Sequence, residues 1–115
     1  MENLIMHNPR WGKSRKSVEI LNNKKIKYKT IEYLKEPLST DFLKTIFKHL
    51  DLKPSEVLRK NETEYKENNV KNYLSDNEKI IELMIEFPKI IERPIIVINN
   101  KAVIGRPPEN IYEVI

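Results

Sequence analysis

Near its amino end the chain carries a stretch, His7 to Arg15 (HNPRWGKSR), whose residue types suit the binding of an anion. It follows a short apolar run and opens a helical pattern, so backbone N–H groups and the positive end of a helix would face a ligand there. Arg10 and Arg15 flank this loop with positive charge. Trp11 stands at its centre, and indole is a hydrogen-bond donor without useful nucleophilicity at neutral pH.

Three further arginines stand where the chain is predicted to change direction: Arg59, Arg93 and Arg106. Arg59 follows a short helical segment, and the other two adjoin prolines. A guanidinium held by such rigid neighbours suits the bidentate capture of an oxyanion. The alternative is that each side chain snorkels or pairs with a surface carboxylate, and the residue types alone leave both interpretations open.

The composition excludes several classes of site. There is no cysteine, so disulfides, thiolate metal ligands and thiol nucleophiles are impossible. His7 and His49 lack partners at metal-ligand spacing, and we predict no metal site. The net charge of +4 is spread along the chain rather than clustered with aromatic residues, which argues against nucleic-acid binding. No apolar run approaches the ~20 residues of a membrane helix, and we expect a cytoplasmic protein with no membrane partner.

The elements that must position these residues begin with a βαβ pattern. Residues 3–7 form a short apolar strand candidate, a helix is predicted over about 13–22, and residues 26–33 are rich in strand-forming types. Such a unit favours a right-handed crossover and parallel pairing of its strands.

A helical block follows. Ser39 is a plausible N-cap for an amphipathic helix, and Pro54 can begin a short helix through Arg59. The polar segment 60–73 has no clean period and is predicted to be the most irregular part of the chain. Ser75 and Glu78 have the spacing of a capping box before a helix that ends at Pro88.

The last segment returns to strands. Residues 94–98 and 101–104 flank Asn99-Asn100, a pair that tolerates positive φ in a two-residue turn, and a terminal helix follows Gly105. The economical solution is an α/β fold with a mixed four-stranded sheet and flanking helices. The order of elements is that of a single thioredoxin-like domain over residues 1–115 with a helical insertion at about 39–88.

Four motifs carry a resemblance to a known family. In order, spacing and overall length they resemble the signatures of the glutaredoxin-dependent arsenate reductases, to which the Spx-like regulators are related. The motifs are HNPRWGKSR at the start, LRKNE at Leu58 to Glu62, ERPIIV at Glu92 to Val97, and IGRPPE at Ile104 to Glu109.

The resemblance implies roles for individual residues. Arg59, Arg93 and Arg106 match oxyanion ligands, and His7 and Ser14 match positions beside the catalytic thiolate. It also implies a cis peptide bond before Pro94, where base rates alone favour trans. In the family a cysteine at the Trp11 position attacks arsenate, and glutathione and glutaredoxin then resolve the adduct.

The absence of that cysteine decides the chemistry. Reduction of arsenate by thiolate attack needs a nucleophile that is also reversibly oxidised. Ser14 could attack but could not hold two electrons, and methionine forms no mixed disulfide. We therefore predict that no cofactor is bound and that the family's thiol mechanism does not operate in this chain.

Trp11 has two possible roles. It could contact a ligand by stacking or by donating its N–H, or it could fill the space left by a decayed site. We favour the second, because one substitution seldom installs a new activity.

Three functions remain open at this point. The first is a catalytically impaired family member that binds an oxyanion (arsenate, phosphate or sulfate) or a glutathione-like ligand at the arginines. The second is an Spx-like protein-interaction or transcription-regulatory role, with an acidic partner suited to the lysine-rich helical block. The third is arsenate reduction by an unfamiliar route.

Overall fold

Short apolar strands alternating with helix-forming segments produce an α/β fold. The computed structural model describes residues 1–8, 10 and 12–115, and of Lys13 only the backbone. The strands and helices of the described residues are β1 (Leu4–Met6), α1 (Gly12–Asn23), β2 (Lys29–Ile31), α2 (Thr40–Leu50), α3 (Thr63–Glu67), α4 (Asn77–Glu86), β3 (Ile95–Ile98) and β4 (Lys101–Ile104). Short 3₁₀ segments lie at Pro54–Glu56, Val70–Tyr73, Pro88–Ile90 and Pro108–Glu113.

The chain divides into two compact units. The sheet unit comprises Met1–Glu36 and Arg93–Ile115, and the helical unit comprises Pro37–Glu92. The four strands all belong to the sheet unit, while α2, α3 and α4 belong to the helical unit. The predicted insertion at about 39–88 lies inside the second unit.

The sheet has the order β2-β1-β3-β4. β1 pairs in parallel with β2 across the α1 crossover, whereas β1 with β3 and β3 with β4 are antiparallel. This topology confirms the mixed four-stranded sheet and the parallel pairing that the sequence predicts. Asn99 and Asn100 join β3 to β4 with φ of 52° and 63°, the positive values expected of a tight hairpin turn.

The core of the sheet unit forms on one face of the sheet. Ile5, Ile96 and Ile98 point to this face because alternate strand residues share a side. Leu21 of α1 and Ile111 of the terminal 3₁₀ segment cover them, and both are fully buried. The helix and the terminal segment are therefore fixed to the sheet by burial of apolar surface.

The helical unit is built on amphipathic helices. Ser39 caps α2, as predicted, by accepting a hydrogen bond from the N–H of Phe42 at 3.1 Å. Leu43, Ile46 and Phe47 form the buried face of α2, and α2 packs against α4.

The second strand is shorter than predicted. Residues 26–33 have strand-forming types, but β2 contains only Lys29–Ile31. Its partner β1 offers just Leu4–Met6 for pairing, so the length of the ladder is limited by the partner rather than by the propensity of β2.

Two predictions in the helical block are wrong. The segment 60–73 is ordered as α3 and a 3₁₀ turn, because Tyr65 and Val70 are buried and anchor a stretch that is otherwise polar. The N-cap of α4 is Asp76, whose carboxylate accepts from the N–H of Lys79 at 3.1 Å, rather than Ser75. The Asp76 carboxylate, one residue later, accepts from the unpaired N–H groups of the first helical turn. Its negative charge is also stabilised by the positive end of the helix dipole.

Two other helical predictions are corrected in extent or type. The segment from Pro54 is helical only to Glu56, after which Leu58 forms a β-bridge with Ile91. The terminal segment Pro108–Glu113 is a 3₁₀ helix.

Candidate functional site

One edge of the sheet collects several of the predicted site residues. Because Met6 pairs with Ile95 in an antiparallel register, the next residues outward are His7 and Pro94. Ile104 pairs with Ile95 at the same level, so Gly105 leaves β4 at this edge as well. α1 begins at Gly12, a few residues after His7. We call this edge, with the start of α1, the loop edge.

Gly105 brings the elements of the loop edge into close contact. Its N–H donates to the carbonyl of Pro94 at 2.8 Å. A Cβ at this position would lie 2.9 Å from Pro94 Cγ, Ile96 Cδ1 and Ser17 Oγ, which is closer than carbon normally approaches. Only glycine therefore lets the chain after β4 lie against both Pro94 and α1. In the sequence, this glycine is marked by its place in the IGRPPE motif.

Ser14 lies in the first turn of α1 and is fully buried. Among the described residues, no group makes a hydrogen bond to its Oγ. Ser14 is one helical turn before Ser17, the residue in contact with the Gly105 position, and residues three apart share a helix face. The hydroxyl is thus a buried donor on the side of α1 that faces the loop edge.

The start of α1 is electropositive. Its first residues are Gly12, Lys13, Ser14 and Arg15, with no acidic side chain in the first turn. The N–H groups of the first turn and the helix dipole place partial positive charge at this end, where anions are stabilised.

His7 is buried where β1 ends, with only 8% of its surface exposed. Its backbone N–H donates to the carbonyl of Ile31 at 2.9 Å, which fixes it at the end of the parallel ladder. Burial lowers the pKa of His7 below its ordinary value, and the nearby charge of Glu32 opposes this without reversing it. Nδ1 has no hydrogen-bond partner in the described part of the chain.

The lowered pKa of His7 predicts a pH dependence of stability. Unfolded His7 binds a proton as the pH falls through its ordinary pKa, while the folded form resists protonation. The unfolded state then binds more protons, so the free energy of unfolding should fall between about pH 7 and about pH 5. His7→Gln should flatten this decline in denaturant titrations. Equal profiles for His7→Gln and the wild type would contradict the assignment.

Two of the three arginines belong to the loop edge. Arg93 is 3% exposed and precedes Pro94 through a cis peptide bond, the isomer that the resemblance implies. Arg106 follows Gly105 and is exposed, and its bond to Pro107 is also cis. The Asn110 side chain donates to the carbonyls of Ile104 and Arg106, each at 3.1 Å. Sequence reasoning missed Asn110, which clamps the turn that carries Arg106.

Arg59 belongs to the helical unit and has carboxylate partners there. Its Nε lies 3.2 Å from Glu62 Oε1 and its Nη1 lies 3.3 Å from Glu92 Oε1. The side chain is 15% exposed. The backbone N–H of Arg59 donates to the carbonyl of Ile90 at 2.8 Å, so both ends of the residue are held. Both glutamates lie in the quoted motifs LRKNE and ERPIIV, but their pairing with Arg59 was not predicted.

Trp11 lies outside the described residues. In the described part of the chain no group of acidic or histidine side chains could hold a metal ion. Within residues 1–8, 10 and 12–115 no helix has both the length and the apolar character to cross a membrane.

The loop edge therefore combines a helix N-terminus, a buried hydroxyl, a buried imidazole and two guanidiniums with a sequence that has no thiol. Its donors and positive charge suit an oxyanion, and the sequence contributes no cysteine thiol to it. The fold and this edge define a cysteine-free protein of the thioredoxin-like α/β class. The ArsC family profile matches residues 6–114, and the chain belongs to the ArsC family.

Individual relatives agree with this assignment over the whole chain. An uncharacterized protein, YfgD, of Escherichia coli K12 is 38% identical over 112 residues, which cover 96% of this chain and 94% of that protein. An arsenate reductase of Neisseria meningitidis serogroup A is 37% identical, with 96% of each chain covered. The solved structure of an arsenate reductase from Vibrio cholerae superimposes with a TM-score of 0.93 at 37% identity, covering 100% of this chain and 98% of that one.

Proposed function

We propose that this protein is a catalytically impaired member of the ArsC family that binds an oxyanion at the loop edge. The observation that carries the proposal is the Ser14 hydroxyl, which is fully buried beside the positive end of α1 without a hydrogen-bond partner among the described residues. Leaving a buried donor unsatisfied costs about 1–3 kcal/mol, and a bound anion would recover that cost.

The arginines support an anionic ligand of tetrahedral type. Arg93 is buried at the loop edge, where a guanidinium in a low-dielectric setting binds an oxyanion through strong charge-assisted hydrogen bonds. Arg106 is held close by through the Gly105 and Asn110 contacts. Arg59, the third oxyanion ligand that the family motif implies, lies in the helical unit, where its guanidinium is paired with Glu62 and Glu92. Arsenate, phosphate and sulfate all have this shape and charge, and glutathione offers carboxylates instead.

Catalysis is proposed to be impaired because the chain has no cysteine thiol that could donate electrons to arsenic and be oxidised to a disulfide. Reduction of arsenate to arsenite consumes two electrons, and in the thiol route they come from two thiols that are joined as a disulfide. The chain has no cysteine, so glutathione and glutaredoxin have no covalent point of attachment. Oxyanion binding is the part of the family's chemistry that the remaining residues can still perform.

Thermal unfolding in the presence of anions tests the binding proposal. Millimolar phosphate, sulfate or arsenate should raise the melting temperature by several degrees, since a ligand at about ten times its Kd stabilises by about 1.4 kcal/mol. Parallel scans with glutathione and with chloride at equal ionic strength distinguish a glutathione site and a general salt effect. A shift that chloride reproduces, or no shift with any anion, would remove the proposal.

Ser14→Ala separates binding from folding. Alanine removes the unsatisfied buried hydroxyl, so the ligand-free variant should be as stable as the wild type or slightly more stable. Its anion-induced rise in melting temperature should shrink by at least half, and Arg93→Ala should abolish it. Ser75→Ala is the matched control, because Ser75 is exposed and is not the N-cap or the C-cap of α4. An undiminished anion response in Ser14→Ala would contradict the role given to the hydroxyl.

A further inference from the structure

A second surface feature lies wholly within the helical unit. A groove of about 370 Å³ lies between α2 and the start of α4, and the turn from Leu52 to Pro54 contributes to its lining. Its floor is apolar, since Phe47 and Ile81 are 5% and 3% exposed and Pro54 is buried. The complete lining is Lys44, Phe47, Lys48, Leu52, Lys53, Pro54, Asn77, Glu78 and Ile81.

The rim of this groove is positively charged. Lys44, Lys48 and Lys53 face a single acidic residue, Glu78, which leaves an excess of two positive charges. Glu78 is paired with Lys44, whose Nζ lies 3.0 Å from Glu78 Oε1. Lys48 and Lys53 are exposed, and neither has an ion pair with another described residue. Two cations therefore stand beside the apolar floor without an ion pair among the described residues, while the Glu56 carboxylate accepts from the backbone N–H of Lys53 at 2.8 Å.

We propose that this groove binds a short acidic segment of a partner protein. The segment would place an apolar side chain over Phe47 and Ile81 and set carboxylates against Lys48 and Lys53. Charge complementarity of this kind directs an acidic partner to the groove and repels basic ones. Burial of the apolar anchor supplies the affinity, as in other grooves that accept a peptide.

The shape and composition favour a peptide over other ligands. Small-molecule sites enclose most of their ligand, whereas this groove is open to solvent and bordered by exposed lysines. Single-stranded nucleic acids need exposed aromatic side chains for stacking. The lining has no arginine, and its aromatic residue, Phe47, is buried in the floor.

This inference does not depend on oxyanion binding at the loop edge. The groove residues all belong to Pro37–Glu92, and none of them is a proposed oxyanion ligand. Either proposal could fail while the other stands.

Titration of ¹⁵N-labelled full-length protein with a synthetic peptide tests the groove. The probe is a peptide of about ten residues in which leucine and phenylalanine are flanked by aspartate and glutamate. Amide shifts should be confined to the second half of α2, the turn at Leu52 and Lys53, and the first turn of α4. A peptide with serine in place of the apolar residues should shift these amides weakly, and one with lysine in place of the acids should not bind.

Charge reversal on the protein provides the matched test. Lys48→Glu combined with Lys53→Glu should weaken binding of the acidic probe about tenfold or more, because two attractions become repulsions. Lys66→Glu combined with Lys71→Glu makes the same change at exposed positions of the helical unit outside the groove, and should leave affinity within about twofold. Melting curves confirm that both variants fold.

Several results would overturn the inference. They are shifts that lie outside the groove, equal weakening by the two charge reversals, equal binding of the serine-containing peptide, and no saturable shift with the acidic probe. Tighter binding of phenylbutyrate than of the peptide would assign the groove to a small organic anion instead.

Discussion

Replacing Trp11 by cysteine is expected to give this protein arsenate reductase activity that the proposed impaired state denies to the wild type. Assayed with glutathione, glutaredoxin and arsenate, the wild type should release no arsenite above background, and Trp11→Cys should exceed that background by about a hundredfold or more. The reason is that the proposed anion ligands at the loop edge are present and only the electron-carrying atom is absent. A thiolate beside the start of α1 would also have its charge stabilised there.

Two controls isolate the sulfur. Trp11→Ser removes the indole without supplying a thiol and should remain inactive. This control shows whether activity in Trp11→Cys comes from the new thiol or from removal of a bulky side chain. Trp11→Cys with Ser14→Ala should lose much of the recovered rate if the buried hydroxyl contacts the anion. Catalytic arsenite production by highly purified wild type would contradict the impaired state. A folded, inactive Trp11→Cys protein would show that more than the nucleophile has been lost.

Adding a methyl group at Gly105 is expected to destabilise the fold strongly. Gly105→Ala places Cβ 2.9 Å from the Pro94 ring, the Ile96 side chain and Ser17 Oγ at once. Ile96 can adjust its rotamer, but the proline ring cannot, so the chain after β4 must shift. Overpacking of this kind costs about 1–3 kcal/mol, which in a domain of this size lowers the melting temperature by about 5–15 °C.

The chain provides its own control for this substitution, because Gly12 is its other glycine. At Gly12 the nearest atom to an added Cβ is Arg15 Nη2 at 3.8 Å, an ordinary contact with a flexible side chain. Gly12→Ala should therefore change stability little, and it should slightly favour α1 because alanine forms helix better than glycine. Similar melting temperatures for the two variants would show that the Gly105 contact is not restrictive.

The sequence predicts features that depend on local chemistry. The Ser39 N-cap and the positive-φ Asn99-Asn100 turn are confirmed, since each needs only the residue itself and its immediate neighbours. The strand 94–98 is confirmed as Ile95–Ile98, because a continuous apolar run of that length is a strong signal for a buried strand. The overall α/β class follows from the order of such elements.

Features that depend on tertiary contacts were predicted less well. The segment around Tyr65 and Val70 has no periodic signal, and its helical turns form because single apolar residues are buried at intervals. The α4 cap at Asp76 could not be distinguished from Ser75 by residue type, since both are good N-caps. The choice between them is made by where the helix packs.

The candidate site shows the same division. The motifs point to His7, Ser14, Arg93 and Arg106, and the register of β1, β3 and β4 gathers them at one edge. The acidic partners of Arg59 and the Asn110 clamp could not be predicted. Both depend on side-chain contacts in the folded protein, and no residue spacing in the sequence indicates them.

The Asn110 clamp links the carboxyl-terminal segment to the turn that carries Arg106, one of the proposed oxyanion ligands. The same 3₁₀ turn that buries Ile111 against the sheet also fastens the carbonyls on either side of Gly105. A protease cut or a truncation just before Asn110 would remove the two hydrogen bonds that hold the turn carrying Arg106, together with the buried side chain of Ile111. Under the proposed anion binding, loss of the tail should therefore also lower the affinity for the anion.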